Sequence, residues 1–208
     1  MKTIFLMIVP TVLCFWIGHS FADDGKKDSQ KNENNVSKLT SEQKAIGESA
    51  FLDVYRVLQH PRCLNCHPDG EAPLQGDLSI PHAMNITRGS EEAGLECATC
   101  HQNKNSEVLG IDGGPPGAPN WHLPEQNMPL VFQNRSPQQL CEQLKDPQQN
   151  GNKTLQQVYD HIAYDPLVLW GWEPGGTRTT PPLTHADFTK QFKMWMDANA
   201  PCPSKITD

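Results

Sequence analysis

The strongest constraint on this chain is a five-residue pattern that occurs twice, as Cys63-Leu64-Asn65-Cys66-His67 and as Cys97-Ala98-Thr99-Cys100-His101. Two cysteines separated by two residues, with a histidine directly after the second, form the attachment pattern of a c-type haem. The intervening pair lets the backbone span the distance between two porphyrin vinyl groups, each of which takes one sulfur. The adjacent histidine then falls beneath the ring and offers its imidazole to the iron. The pattern therefore predicts two covalently bound haem c groups on Cys63, Cys66, Cys97 and Cys100, with His67 and His101 as proximal iron ligands. Two other chemistries use paired cysteines: a four-thiolate zinc site and a pair of disulfides. Neither calls for a histidine after each pair.

The start of the chain reads as an export signal. Lys2 precedes an almost wholly apolar run from Ile4 to Ile17, and Ser20-Phe21-Ala22 places small residues where a signal peptidase cleaves. The run is short against the roughly 20 residues of a membrane span, so cleavage after Ala22 and a periplasmic location are expected. An uncleaved anchor is the alternative. Cys14 lies inside this signal, after a leucine too bulky for a lipoprotein cleavage site. Of the seven cysteines, Cys141 and Cys202 then remain once Cys14 and the four attachment residues are set aside. In an oxidising compartment such a pair is expected as a disulfide, with two free buried thiols as the alternative. Losing residues 1–22 takes Lys2 with it and moves the net charge from −7 to −8. No basic stripe suits nucleic acid. The acidic balance fits an exported carrier and would steer it toward a basic partner.

Residues 23–39 are Lys, Asp, Asn, Ser and Gln with little apolar content, which predicts a disordered tether. One domain is expected over 40–203, followed by a short tail at 204–208. Thr40 or Ser41 opens a helical pattern through Phe51, Tyr55 and Leu58 that Pro61 stops. Ser136-Pro137 caps a second helix ending at Asp146-Pro147. Thr154 with Gln157, and Thr184 with Asp187, read as capping boxes for two more helices. No segment alternates like a strand. Long irregular stretches such as 113–119 and 170–176 are unusual in a compact domain. Haem macrocycles would supply the apolar surface for such loops to wrap. The expected fold is thus mainly α with extensive irregular loops, a single domain wrapped around two covalent haems. Trp121, Trp170, Trp172 and Trp195 would pack against rings or core.

Function turns on the axial position opposite each proximal histidine. A second strong ligand leaves electron transfer, whereas an open face permits peroxide or small-ligand chemistry. His82, midway between the two patterns, and His122, after the Gly/Pro loop and Trp121, are the leading distal candidates. His60, His161 on the flank of its helix's apolar face, and Met128 in a Met128-Pro129 pair are weaker ones. Met84 and His185 rank below them, His185 because a helix start is ordinarily exposed.

Several further stretches bear on kinship: His60-Pro61-Arg62-Cys63 through His67-Pro68, Pro73-Leu74-Gln75-Gly76-Asp77, Pro81-His82, and Pro116-Gly117-Ala118-Pro119 with Trp121-His122. Lys145-Asp146-Pro147, Trp170-Gly171-Trp172 and Ala200-Pro201-Cys202-Pro203 add to them. Across residues 60–203 the chain resembles a family of small exported dihaem cytochromes, often labelled as isoquinoline 1-oxidoreductase cytochrome subunits. The resemblance implies a periplasmic electron carrier serving a redox protein or oxidoreductase subunit, with a molybdenum hydroxylase as the implied partner. Nothing in this chain resembles a molybdopterin or iron–sulfur site, so any hydroxylase is another polypeptide. The expectation is a relay of single electrons with no catalytic residue. A small dihaem peroxidase and a haem-based sensor, each with one open axial position, are the competing classes.

Overall fold

A computed structural model describes the backbone of residues 25–107 and 114–204 and the side chains from residue 40. The expected signal and its cleavage point lie outside the described residues. The chain is mainly helical. Its elements are α1 (Gly25–Leu58), α2 (Pro61–Leu64), a hairpin of β1 (Leu74–Gln75) and β2 (Ile80–Pro81), then α3 (Pro137–Lys145), α4 (Leu155–Tyr164), α5 (Pro166–Leu169) and α6 (His185–Asp197). Short 3-10 turns occupy Ala83–Asn85, Arg88–Ser90, Cys97–Thr99 and Trp170–Trp172. The two-residue strands pair antiparallel, Leu74 with Pro81 and Gln75 with Ile80.

Helix α1 does not begin at Thr40 or Ser41. Its backbone is already helical at Gly25, inside the stretch expected as a tether. Extending an existing helix adds one hydrogen bond per residue without a second nucleation cost, so propensity alone does not set where it begins. Its end is as expected, one turn before Pro61. The other caps follow the sequence closely. Ser136 accepts from the Gln139 N–H and Thr154 from the Gln157 N–H, each in a reciprocal capping box. Thr184 accepts from the Asp187 N–H at 3.1 Å, but its hydroxyl donates to the Asp187 carboxylate at 2.7 Å. Asp187 therefore braces the cap side chain.

The core lies where α1, α3, α4 and α6 converge. Ala50, Phe51, Val54, Val57 and Leu58 recur at helical spacing on one face of α1. They meet Leu140, Cys141 and Leu144 of α3, Val158 and Ile162 of α4, and Phe188, Phe192 and Trp195 of α6. Trp195 is fully buried, its indole N–H donating to the Pro201 carbonyl at 2.9 Å. Cys141 and Cys202 lie at disulfide distance, 2.06 Å between sulfurs, and fasten the segment after α6 to α3. Gly47 makes that closure fit, because a side chain there would run into Pro201 and Ala198. Among the described residues no helix is long and apolar enough to cross a membrane.

Candidate functional site

The first Cys-x-x-Cys-His pattern grows directly out of the core. His60 caps α2 and Pro61 fills its first turn, where a missing N–H costs nothing. Cys63 lies in α2 and Cys66 in the turn just past its end, where the Cys66 N–H donates to the Cys63 carbonyl at 3.2 Å. The chain tightens after Cys66 through bonds from the His67 N–H to the carbonyls of Cys63 and Leu64. The His67 imidazole is fixed from the opposite direction. Its Nδ1 donates to the Leu130 carbonyl at 2.8 Å, and its ring stacks on Phe132 with centroids 4.0 Å apart. The Phe132 N–H closes the arrangement by donating to the His67 carbonyl at 2.9 Å. Because a carbonyl only accepts, the proton sits on Nδ1 and Nε2 keeps a free lone pair. Burial holds the His67 pKa down at about 3, against the pull of the Leu130 bond, so the ring is neutral across the physiological range.

Cys63, Cys66 and His67 line one wall of a cavity of about 680 Å³, within the range of cofactor-sized pockets. Its other walls include the core side chains Leu144, Val158, Phe188 and Phe192, with Glu125, Asn127, Asn152 and Lys153 adding polar lining. Burial pushes the Cys63 thiol up to about 12, with Cys66 adding to it and Arg62 opposing. Burial likewise raises Cys66 to about 11 against Arg88 and Arg62. Among the described residues no three His, Cys, Asp or Glu side chains gather as a bare-ion site, so the four thiols are not drawn into one cluster.

The second pattern sits in a 3-10 turn on the surface, with Cys97 half-buried and Cys100 exposed. Burial raises the Cys97 thiol to about 12, assisted by a hydrogen bond with Glu91. The construction around the histidine repeats that of the first. His101 Nδ1 donates to the Pro116 carbonyl at 2.8 Å, and the ring stacks on Trp121 at 4.5 Å with planes 2° apart. Here the carbonyl comes from the Gly/Pro loop. Gly117 must be glycine, because a Cβ would strike the carbonyls of Gln102 and Lys104. Asn105 ties this loop down by accepting from the Gly117 N–H at 3.1 Å and from the Trp170 indole at 2.7 Å.

The distal candidates divide between the two places. His82 lies beside His101, ring centroids 6.0 Å apart and planes at 62°, and its Nδ1 donates to the Ala83 carbonyl at 2.8 Å. His122, Met128 and His161 all line the cavity of the first pattern. His122 donates from Nδ1 to the Asn120 carbonyl at 2.6 Å, and His161 from Nδ1 to the Asp165 carboxylate at 3.0 Å. The two remaining histidines have other employment. His60 accepts the Arg62 N–H on Nδ1 at 3.3 Å and faces the Thr179 hydroxyl through Nε2 at 3.4 Å. His185 donates from Nε2 to the Ile162 carbonyl at 2.9 Å. Met84 is 78% exposed.

Several residues that build the candidate site carry no sequence signal of their own. The Leu130 and Pro116 carbonyls are backbone groups and Phe132 reads as core. Arg62 and Arg88 are each only 6% exposed. Arg62 pairs with Asp77 and lies over the Trp170 ring at 5.8 Å. Arg88 donates to the Pro124 carbonyl at 3.0 Å. Buried Arg62 Nε and Arg88 Nη2 find no acceptor among the described residues. Pro129, directly before Leu130, and the Gly/Pro loop around Pro116 read only as irregular loop, which is as far as sequence led. No family model, curated protein or solved structure matches the chain.

Proposed function

We propose that this protein is an exported dihaem c-type cytochrome that relays single electrons between redox partners. The observation that carries the reading is the repeated treatment of His67 and His101. Two histidines, each following a Cys-x-x-Cys pair, have Nδ1 locked by a distant backbone carbonyl and Nε2 left as a neutral donor for a metal. The surroundings fit haem. A cavity of about 680 Å³ with largely aliphatic and aromatic walls opens beside Cys63, Cys66 and His67. The buried, unsatisfied N–H groups of Arg62 and Arg88 suit carboxylates such as haem propionates.

Haem supplies a one-electron couple at iron, tuned by axial ligands, burial and hydrogen bonding. The chain's own contribution is to hold and insulate. The cysteines would fix the macrocycle edge, the carbonyl-bound histidines would present their imidazoles, and core side chains would exclude water at the first site. Closed coordination favours relay over catalysis. His82 and His101, with ring centroids 6.0 Å apart, are the residues that would supply two imidazoles to one haem iron at the second place.

The test is the optical and low-temperature EPR spectrum of the purified, exported protein, with its haem content. Two low-spin haems per chain that exchange electrons one at a time are expected. A high-spin ferric signal with peroxide turnover would replace the relay by a dihaem peroxidase. A partner of molybdenum hydroxylase type belongs to the same proposal, and co-purification of a reductase that reduces this chain tests it.

A further inference from the structure

Three side chains with metal-binding chemistry line the cavity beside His67: His122, Met128 and His161. Their supports differ. His122 and Met128 come from an irregular segment, and the His122 ring donates to the carbonyl of Asn120, two residues away, at 2.6 Å. His161 projects from α4, a helix capped by a complete Thr154–Gln157 box and packed on the core through Val158 and Ile162. Its Nδ1 donates to Asp165 Oδ2 at 3.0 Å. That carboxylate is itself fixed, because Asp165 Oδ1 accepts the Leu167 N–H at 2.9 Å as the cap of α5. The Asp165 N–H in turn donates to the His161 carbonyl at 3.1 Å. The result is a carboxylate–imidazole pair with one tautomer and one orientation, leaving Nε2 unprotonated. Such pairs are the usual outer support of a metal-binding histidine, and they raise its basicity.

From this geometry we infer that His161 is the second axial ligand of the iron held by His67, with Asp165 as its positioning residue. The inference rests on reading Cys63 to His67 as a haem site.

The experiment uses the full exported chain with both haems attached. His161→Ala is expected to turn one of the two haems, half the total, from low-spin to high-spin and cyanide-binding. His122→Ala and Met128→Leu are expected to leave both haems low-spin. Asp165→Asn keeps the α5 cap, since asparagine caps as well as aspartate, but loses the carboxylate charge. It is expected to let cyanide bind one haem about 10- to 100-fold more tightly and to raise that haem's midpoint potential. A merely structural Asp165 would lower the melting temperature and move neither. Two low-spin haems in His161→Ala overturn the ligand assignment, as does a high-spin haem that follows His122→Ala or Met128→Leu instead. An unchanged cyanide affinity and potential in Asp165→Asn overturn the positioning role, even where His161→Ala fails to fold. A wild-type chain without covalent haem on a denaturing gel removes the dihaem reading itself, an outcome distinct from all of these.

Discussion

The two Cys-x-x-Cys-His segments share one design for the histidine and differ in almost everything else. At Cys63–His67 the thiols, the imidazole and the candidate distal ligands face a cavity whose walls are the helices of the core. At Cys97–His101 the segment is a surface turn, held by the Pro116 carbonyl, the Trp121 ring and the Asn105 bracket. Leu78, Ile80 and Met84, in and just after the β1–β2 hairpin, are exposed, Leu78 at 87%. The first place is built from packing and the second from backbone contacts. Loss of the group bound at the first should therefore be felt by the whole domain, and loss at the second only nearby.

The sharpest way to break this comparison is to remove attachment at one place at a time. Cys63→Ser with Cys66→Ser should halve the covalent haem and destabilise the fold by more than the roughly 3–5 kcal/mol that deleting a buried aromatic costs. Cys97→Ser with Cys100→Ser should halve the haem as well and leave most of the stability. Equal losses of melting temperature in the two double variants would erase the distinction.

Next in size is the Cys141–Cys202 link, which closes a loop with a sequence separation of 61. Replacing both by serine should cost about 4 kcal/mol in the chain-entropy account, read by chemical denaturation. The effect belongs to the cavity side, since the link joins α3 to the segment that receives Trp195 and Lys145. Perturbed spectra at His101 rather than His67 would contradict that placement.

Gly117→Ala makes the reciprocal test. A methyl group there meets two carbonyls, and overpacking of this kind costs about 1–3 kcal/mol. The change should shift the Pro116 carbonyl off His101 and alter the spectrum of one haem while the core unfolds at nearly its normal denaturant concentration. A smaller effect, about 1 kcal/mol, is expected from Thr154→Ala, which removes the cap of the helix that carries His161. Urea titration should show it with the slope unchanged.

Smallest is a pH effect at Tyr55, whose hydroxyl donates to the Arg135 carbonyl at 2.9 Å. Burial raises its pKa above the ordinary tyrosine value. A raised folded-state pKa means that the unfolded chain ionises first, so this contribution is complete below pH 10 and is lost as pH rises beyond it. Solvent screening keeps it below the effect of the cap. Stability measured between pH 9 and 11 should fall less steeply in Tyr55→Phe than in wild type, and equal slopes would assign the loss to other groups.

How much of this was legible beforehand depended on the range of the interaction. Ser136, Thr154 and Thr184 announced their helices because a cap and its N–H donors lie within four residues. The start of α1 was misplaced because polar residues give no cue to how far an established helix extends. Met128 and His161 ranked below His82 and His122 as ligand candidates, since a histidine in a loop, between the two patterns or after the Gly/Pro stretch, is a stronger local signal than one on a helix flank. Folding puts Met128, His161 and His122 together in one cavity, and leaves His82 with His101 instead.

The sequence by itself singled out the residues of the proposed attachment chemistry, four sulfurs and two imidazoles, because each set falls within five consecutive residues. It also marked Cys141 and Cys202 by elimination. Only the tertiary structure decided the partners of each histidine and the different settings of the two patterns. Those depend on the carbonyls of Leu130 and Pro116, the carboxylate of Asp165 and the walls supplied by α4 and α6. Such groups reach their places through packing across long sequence separations, and no local pattern encodes them.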